Sequence, residues 1–175
     1  MDKLLLGIQP QTIELCVLDT LLSFSNIPFF FFYGNDGNDS SFMPSELLHD
    51  SFIVALLDFP ILVGHLEIDG SGRARVVVDN NNLNIPEYRE SQCDMHFRDL
   101  QALKFSWDVL PAGVAATGSV TTADTDGVIK LANIHVVRLQ DSSGLVLFIS
   151  TTHAIFDGIG YCKFVNRWAE IAKWM

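Results

Sequence analysis

Two hydrophobic periods alternate along this chain, and the switches between them mark its elements. Residues 12–18 begin by alternating polar and apolar side chains, which predicts a strand. Residues 27–33 hold four consecutive phenylalanines, an unbroken run that suits a strand buried on both faces. A polar loop fills 34–41. From Pro44, a favourable first-turn residue, the apolar positions Leu47, Leu48, Phe52, Ala55 and Leu56 take helical spacing. Glu46, His49 and Asp50 lie opposite, and Pro60 stops this helix. Residues 62–69 and 73–79 flank Gly70-Ser71-Gly72 as a hairpin, with His65 on its first strand. Residues 95–103 suit a short helix capped by Asp94, and His96 within it has no evident partner. Residues 111–126, Asp124 and Asp126 included, read as a long solvated loop. A strand at 129–139, a turn at 141–144 and a strand at 145–152 follow, the two strands pairing antiparallel. His135 alternates along the first of these as a strand residue satisfied by a neighbour.

The last element is the clearest. From about Tyr161 to the end, Tyr161, Phe164, Val165, Trp168, Ala169 and Ala172 form one apolar stripe. Lys163, Asn166, Arg167, Glu170 and Lys173 face away from it, with Arg167 and Glu170 at i,i+3 spacing.

Composition narrows the picture. A chain of 175 residues, 49% hydrophobic with 13 phenylalanines, builds one domain with a substantial core. The balance of 21 acidic against 11 basic residues, net −10 and without a basic stripe, repels phosphate and excludes nucleic acid as a partner. Cys16, Cys93 and Cys162 are odd in number and widely spaced, so they predict buried or half-buried thiols in a reducing compartment and no metal site. The longest apolar run, 51–64, is broken by Asp58 and Pro60 and is too short to span a bilayer. The expectation is a cytoplasmic protein without membrane attachment.

Candidate chemistry gathers where the strand ending at Thr152 gives way to the final helix. His153 stands at that junction, Asp157 follows four residues on, and Gly158 and Gly160 relieve crowding as the chain turns. Ligands favour such strand ends in open α/β sheets. An imidazole there can take a proton near neutral pH, and a carboxylate at Asp157 suits a helix N-terminus. The same residues also fit an ordinary strand-end histidine with Asp157 as a plain N-cap. Among other schemes, a Gly-x-Ser-x-Gly elbow, a phosphate loop and paired metal ligands are all absent from the sequence.

The string His153-Ala-Ile-Phe-Asp157-Gly158-Ile-Gly160, followed by Phe164 and Trp168-Ala169-Glu170, resembles the BAHD-type CoA-dependent acyltransferases of plants and fungi. Their superfamily includes chloramphenicol acetyltransferase and the condensation domains of peptide synthetases. Glu14 to Asp19 looks like the opening strand of that family, and residues 60–66 look like its Leu-Ala-Gly-Arg-Leu segment. The resemblance implies an α/β (α+β layered) fold: a chloramphenicol acetyltransferase-like mixed β-sheet flanked by helices. It implies that His153 is the general base for an alcohol or amine acceptor, with acyl-CoA as co-substrate and no tightly bound cofactor. It further implies structural parts for Asp157 and Gly158, and a substrate channel near Thr152 and Gly160. Thr152 stands where some relatives carry a second histidine.

Enzymes of that family are more than twice as long and two-domained, with an Asp-Phe-Gly-Trp-Gly signature in the later domain that residues 1–175 lack. The expectation is therefore a single N-terminal domain, 1–175, whose active site is incomplete without a C-terminal domain. The abrupt end on Trp174-Met175, with no capping glycine, fits a cut within a longer protein. Two alternatives remain. One is a short trimeric enzyme of the chloramphenicol acetyltransferase kind, and the other is a non-catalytic half that binds a partner chain or a hydrophobic ligand.

Overall fold

The computed structural model describes residues 3–23, 25–37, 39–111, 114 and 130–175. Two sheets and two long helices carry the fold. Strands β1 (Gln11–Glu14), β4 (Ala74–Val78) and β3 (His65–Ile68) form a small antiparallel sheet in the order β1-β4-β3. Strands β2 (Asn26–Gly34), β7 (Gly144–Thr152), β6 (Ala132–Leu139) and β5 (Glu87–Cys93) form the larger one in the order β2-β7-β6-β5. The β6–β7 pair is antiparallel as expected, with Ala132 opposite Thr151. The β5–β6 pair is parallel, which makes this sheet mixed.

β7 is buried along its whole length, because strands flank it on both sides and apolar layers cover both faces. Leu145, Leu147 and Ile149 face the helices α2 (Ser45–Asp58) and α4 (Gly158–Trp174). Val146 and Phe148 face a second cluster under the short helix α3 (Phe97–Ala102). α4 is locked to α2 by Trp168, whose indole N–H donates to Ser51 Oγ (2.9 Å) and the Leu48 carbonyl (3.2 Å). Its buried positions are Tyr161, Phe164, Trp168 and Ile171. Ala169 of the expected stripe is exposed, because the 3.6-residue period turns it outward and brings Ile171 in. Arg167 meets Glu170 as the spacing predicts, and it also reaches Asp58 at the end of α2 (2.6 Å).

Several expectations are corrected. The strand expected over 12–18 ends at Glu14, and a helix, α1 (Val17–Leu22), takes over. Cys16 and Asp19 close its first turn reciprocally: Asp19 N–H donates to Cys16 Sγ, and Cys16 N–H to the Asp19 carboxylate. β2 is an edge strand whose phenylalanines are only partly buried, Phe29 being 39% exposed, so it is not covered on both faces. The strand expected from Leu62 starts at His65, since Pro60 opens a 3-10 turn, Pro60–Val63, ahead of it. The cap of α3 is built by His96 and Asp99, not Asp94: the His96 N–H donates to the Asp99 carboxylate (3.0 Å). The final helix begins at Gly158, three residues before Tyr161. Cys16 and Cys162 are exposed rather than buried, one capping an open helix and the other on the outer face of α4, and Cys93 is half-buried. The loop expected over 111–126 falls almost wholly outside the described residues, as does Ile129.

Candidate active site

Six consecutive residues, 152–157, build the junction. β7 ends at Thr152, residues 153–155 turn, and Asp157 opens α4. Asp157 has extended backbone and its carboxylate accepts the Gly160 N–H at 2.7 Å, so it is an N-cap. Gly160 suits that bond, since a Cβ there would lie 3.2 Å from the Phe156 ring and 3.3 Å from Asp157 Oδ1. A Cβ at Gly158 would meet nothing within 4 Å among the described residues, so that glycine borders open space there. Phe156 is buried and anchors the turn, packing against Phe59 and Phe164 at ring-centroid distances of 6.0 Å each.

His153 is half-buried on this turn. Its main-chain N–H donates to the Ser25 carbonyl at 2.7 Å. Among the described residues, none forms a hydrogen bond with its ring nitrogens, so the imidazole has no carboxylate to orient it. Thr152, expected along the channel, is 1% exposed. Its hydroxyl donates to the Ser23 carbonyl (3.1 Å) and accepts the Ala154 N–H (3.4 Å). The two residues before it, Ser150 and Thr151, carry buried hydroxyls with no hydrogen-bond partner among the described residues. The structure thus gathers His153, Asp157, Gly158 and Gly160 at one strand-to-helix corner and turns Thr152 inward. Ser23, Ser25 and Phe156 complete the corner. The first two were illegible in sequence because their contribution is main-chain carbonyls, and Phe156 was visible only as the apolar filler between His153 and Asp157.

Two of the other histidines have local partners. His135 Nε2 lies 2.8 Å from Ser91 Oγ, the neighbour expected for it, and burial, reinforced by Arg89, pulls its pKa below the usual imidazole value. His65 Nε2 meets Glu67 (3.1 Å), which also receives Arg75 (2.7 Å). No group of three or more His, Cys, Asp or Glu among the described residues could hold a metal. No described helix is long and apolar enough to cross a membrane. A cavity of about 680 Å³ lies where β5 and β6 end, lined by Ser45, Glu90, Cys93 and Arg138. Gly144, at the start of β7, borders it, so a strand's length of about 3.3 Å per residue separates it from His153.

The profile of the Transferase family matches residues 6–174, all of this corner included. The chain belongs to that family, the BAHD acyltransferases. Among its relatives, a hydroxycinnamoyltransferase from Narcissus pseudonarcissus is 22% identical over 156 residues, covering 89% of this chain and 34% of the relative. A rosmarinate synthase from Plectranthus scutellarioides is 26% identical over 144 residues, covering 81% of this chain and 30% of the relative. The chain therefore spans about a third of the length of the relatives it matches. The fold is that of TRI101 from F. sporotrichioides, a structure complexed with coenzyme A and T-2, with a TM-score of 0.74 at 14% identity over 93% of this chain and 39% of that one. The expected acyltransferase fold is thus the observed one, divided between two sheets rather than held in a single one.

Proposed function

We propose that this chain is the N-terminal lobe of an acyltransferase that moves an acyl group from acyl-CoA to a hydroxyl or amine, with His153 as general base. The observation that carries this reading is the half-buried imidazole at the end of β7, unpartnered among the described residues, on a turn whose carboxylate is committed to capping α4. In this scheme the His153 ring accepts the acceptor's proton as its oxygen or nitrogen attacks the thioester carbonyl. The resulting tetrahedral oxyanion collapses, the carbon–sulfur bond breaks, and CoA leaves as the thiol after taking up a proton. Asp157 and Gly160 hold the corner, and Gly158 keeps its approach open. The names of the plant relatives make a hydroxycinnamoyl-CoA a sensible first donor, and coenzyme A bound to TRI101 supports the CoA class.

The acidic balance of the chain fits a lobe that draws its CoA contacts from elsewhere. The exposed side chains Val17, Leu18, Leu21 and Ile159 favour a cleft completed by a second body, either a C-terminal lobe or another copy of this chain. The test is CoA release from p-coumaroyl-CoA with a panel of alcohols and amines, product mass being read alongside. It is run on this chain alone and on this chain mixed with the C-terminal part of a relative. Turnover that vanishes in His153→Ala supports the reading. Turnover within a few-fold of wild type in that variant refutes it. Light scattering of the active species separates a self-associated enzyme from a two-lobed one.

A further inference from the structure

We infer that Thr152 is a positioning residue: its buried hydroxyl fastens the turn carrying His153 to the end of α1. The inference rests on His153 being the base. Three bonds bracket that histidine. Thr152 Oγ1 donates to the Ser23 carbonyl (3.1 Å) and accepts the Ala154 N–H (3.4 Å), while the His153 N–H donates to the Ser25 carbonyl (2.7 Å). Ser23 is the C-cap of α1 and fully buried, so its carbonyl is one of the orphan acceptors of a helix end, and Thr152 satisfies it.

The need for such a clamp follows from the ring. A base must be held within a fraction of an ångström of its productive place. Side chains that fix a histidine normally do so by hydrogen bonding to its second nitrogen. Here the nearest carboxylate in sequence, Asp157, caps Gly160 instead, and no described residue bonds to the His153 ring. Orientation therefore falls to the main chain on either side of the ring. Thr152 is the residue whose side chain joins that main chain to a separate element. A hydroxyl in this fully buried place does more than fill space, since valine would fill it equally well.

The experiment compares wild type, Thr152→Val and Thr152→Ser in the 175-residue chain by NMR, with CoA release from p-coumaroyl-CoA measured in the active assembly. Valine should speed amide exchange at His153 at least tenfold and broaden or split the His153 ring resonance. It should lower kcat about tenfold while KM stays within twofold, and serine should restore all three. Ring and amide signals of Thr152→Val that match wild type overturn the inference. So does an unchanged kcat in a background where His153→Ala is dead. Should the valine variant fail to fold, the wild type still decides: a His153 amide exchanging at free-peptide rates means the clamp does not exist. Activity surviving His153→Ala instead condemns the base assignment, whatever Thr152 does.

Discussion

The Asp157 carboxylate accepts the Gly160 N–H at 2.7 Å, and that bond fixes where α4 begins. Removing it with Asp157→Ala should cost about 1 kcal/mol, the usual worth of an N-cap. Asp157→Asn keeps an acceptor in the same place and should stay within about 0.5 kcal/mol of wild type, since asparagine caps as well as aspartate. Urea melts of the two variants check the pair. Equal losses would mean that the negative charge of Asp157, rather than its acceptor oxygen, holds the helix.

Ser150 and Thr151, on the central strand, each bury a hydroxyl with no partner among the described residues. A buried group of this kind costs about 1–3 kcal/mol relative to an apolar one of the same shape. Thr151→Val and Ser150→Ala should therefore each raise the urea midpoint without changing the slope, the valine adding roughly 1 kcal/mol to the unfolding free energy.

Trp168 ties α4 to α2 through Ser51 and the Leu48 carbonyl. Trp168→Phe keeps an aromatic ring against Phe52 but removes the donor. It should destabilise the chain by about 1–3 kcal/mol, from lost packing and an unfilled acceptor. Ser51→Ala leaves the indole its carbonyl partner and should cost less. Thermal melts rank the two, and the reverse order would contradict the geometry.

His135 binds its proton less readily in the folded chain than in the unfolded one, because burial and Arg89 disfavour the charged ring and Glu87 only partly offsets them. The unfolded state then takes up the proton first as pH falls. The stability linked to this residue is fully present above about pH 6.5 and declines as pH drops toward the folded value. His135→Gln should flatten that part of the pH–stability curve relative to wild type. Urea midpoints between pH 5 and 8 measure the difference, and parallel curves would remove His135 from the account.

What sequence made legible here depended on burial. α2, α4, β6 and β7 announce themselves because each buries a face or a whole strand, so periodicity records the burial. β5 escaped notice because Glu87-Tyr88-Arg89-Glu90-Ser91-Gln92-Cys93 carries few apolar residues, and it joins the sheet as an edge held by main-chain pairing to β6. α1 was hidden for a related reason: it buries no residue, and its start depends on a sulfur and a carboxylate three positions apart. At the corner, His153, Asp157 and the glycines were legible as side chains in a motif. Its bracing was not, because Ser23 and Ser25 act through carbonyls that any residue could supply.

One of the larger sheet's two edge strands, β2, sets a practical condition on handling the protein. It runs nine residues, pairs only with β7 among the described strands, and has Pro28 as its one natural interruption. Such a border invites other chains to add on to it, so dilute, cold preparations should stay monodisperse longer than concentrated ones. A lysine introduced at Phe29, where the ring is already partly in water, is the first solubility variant to make.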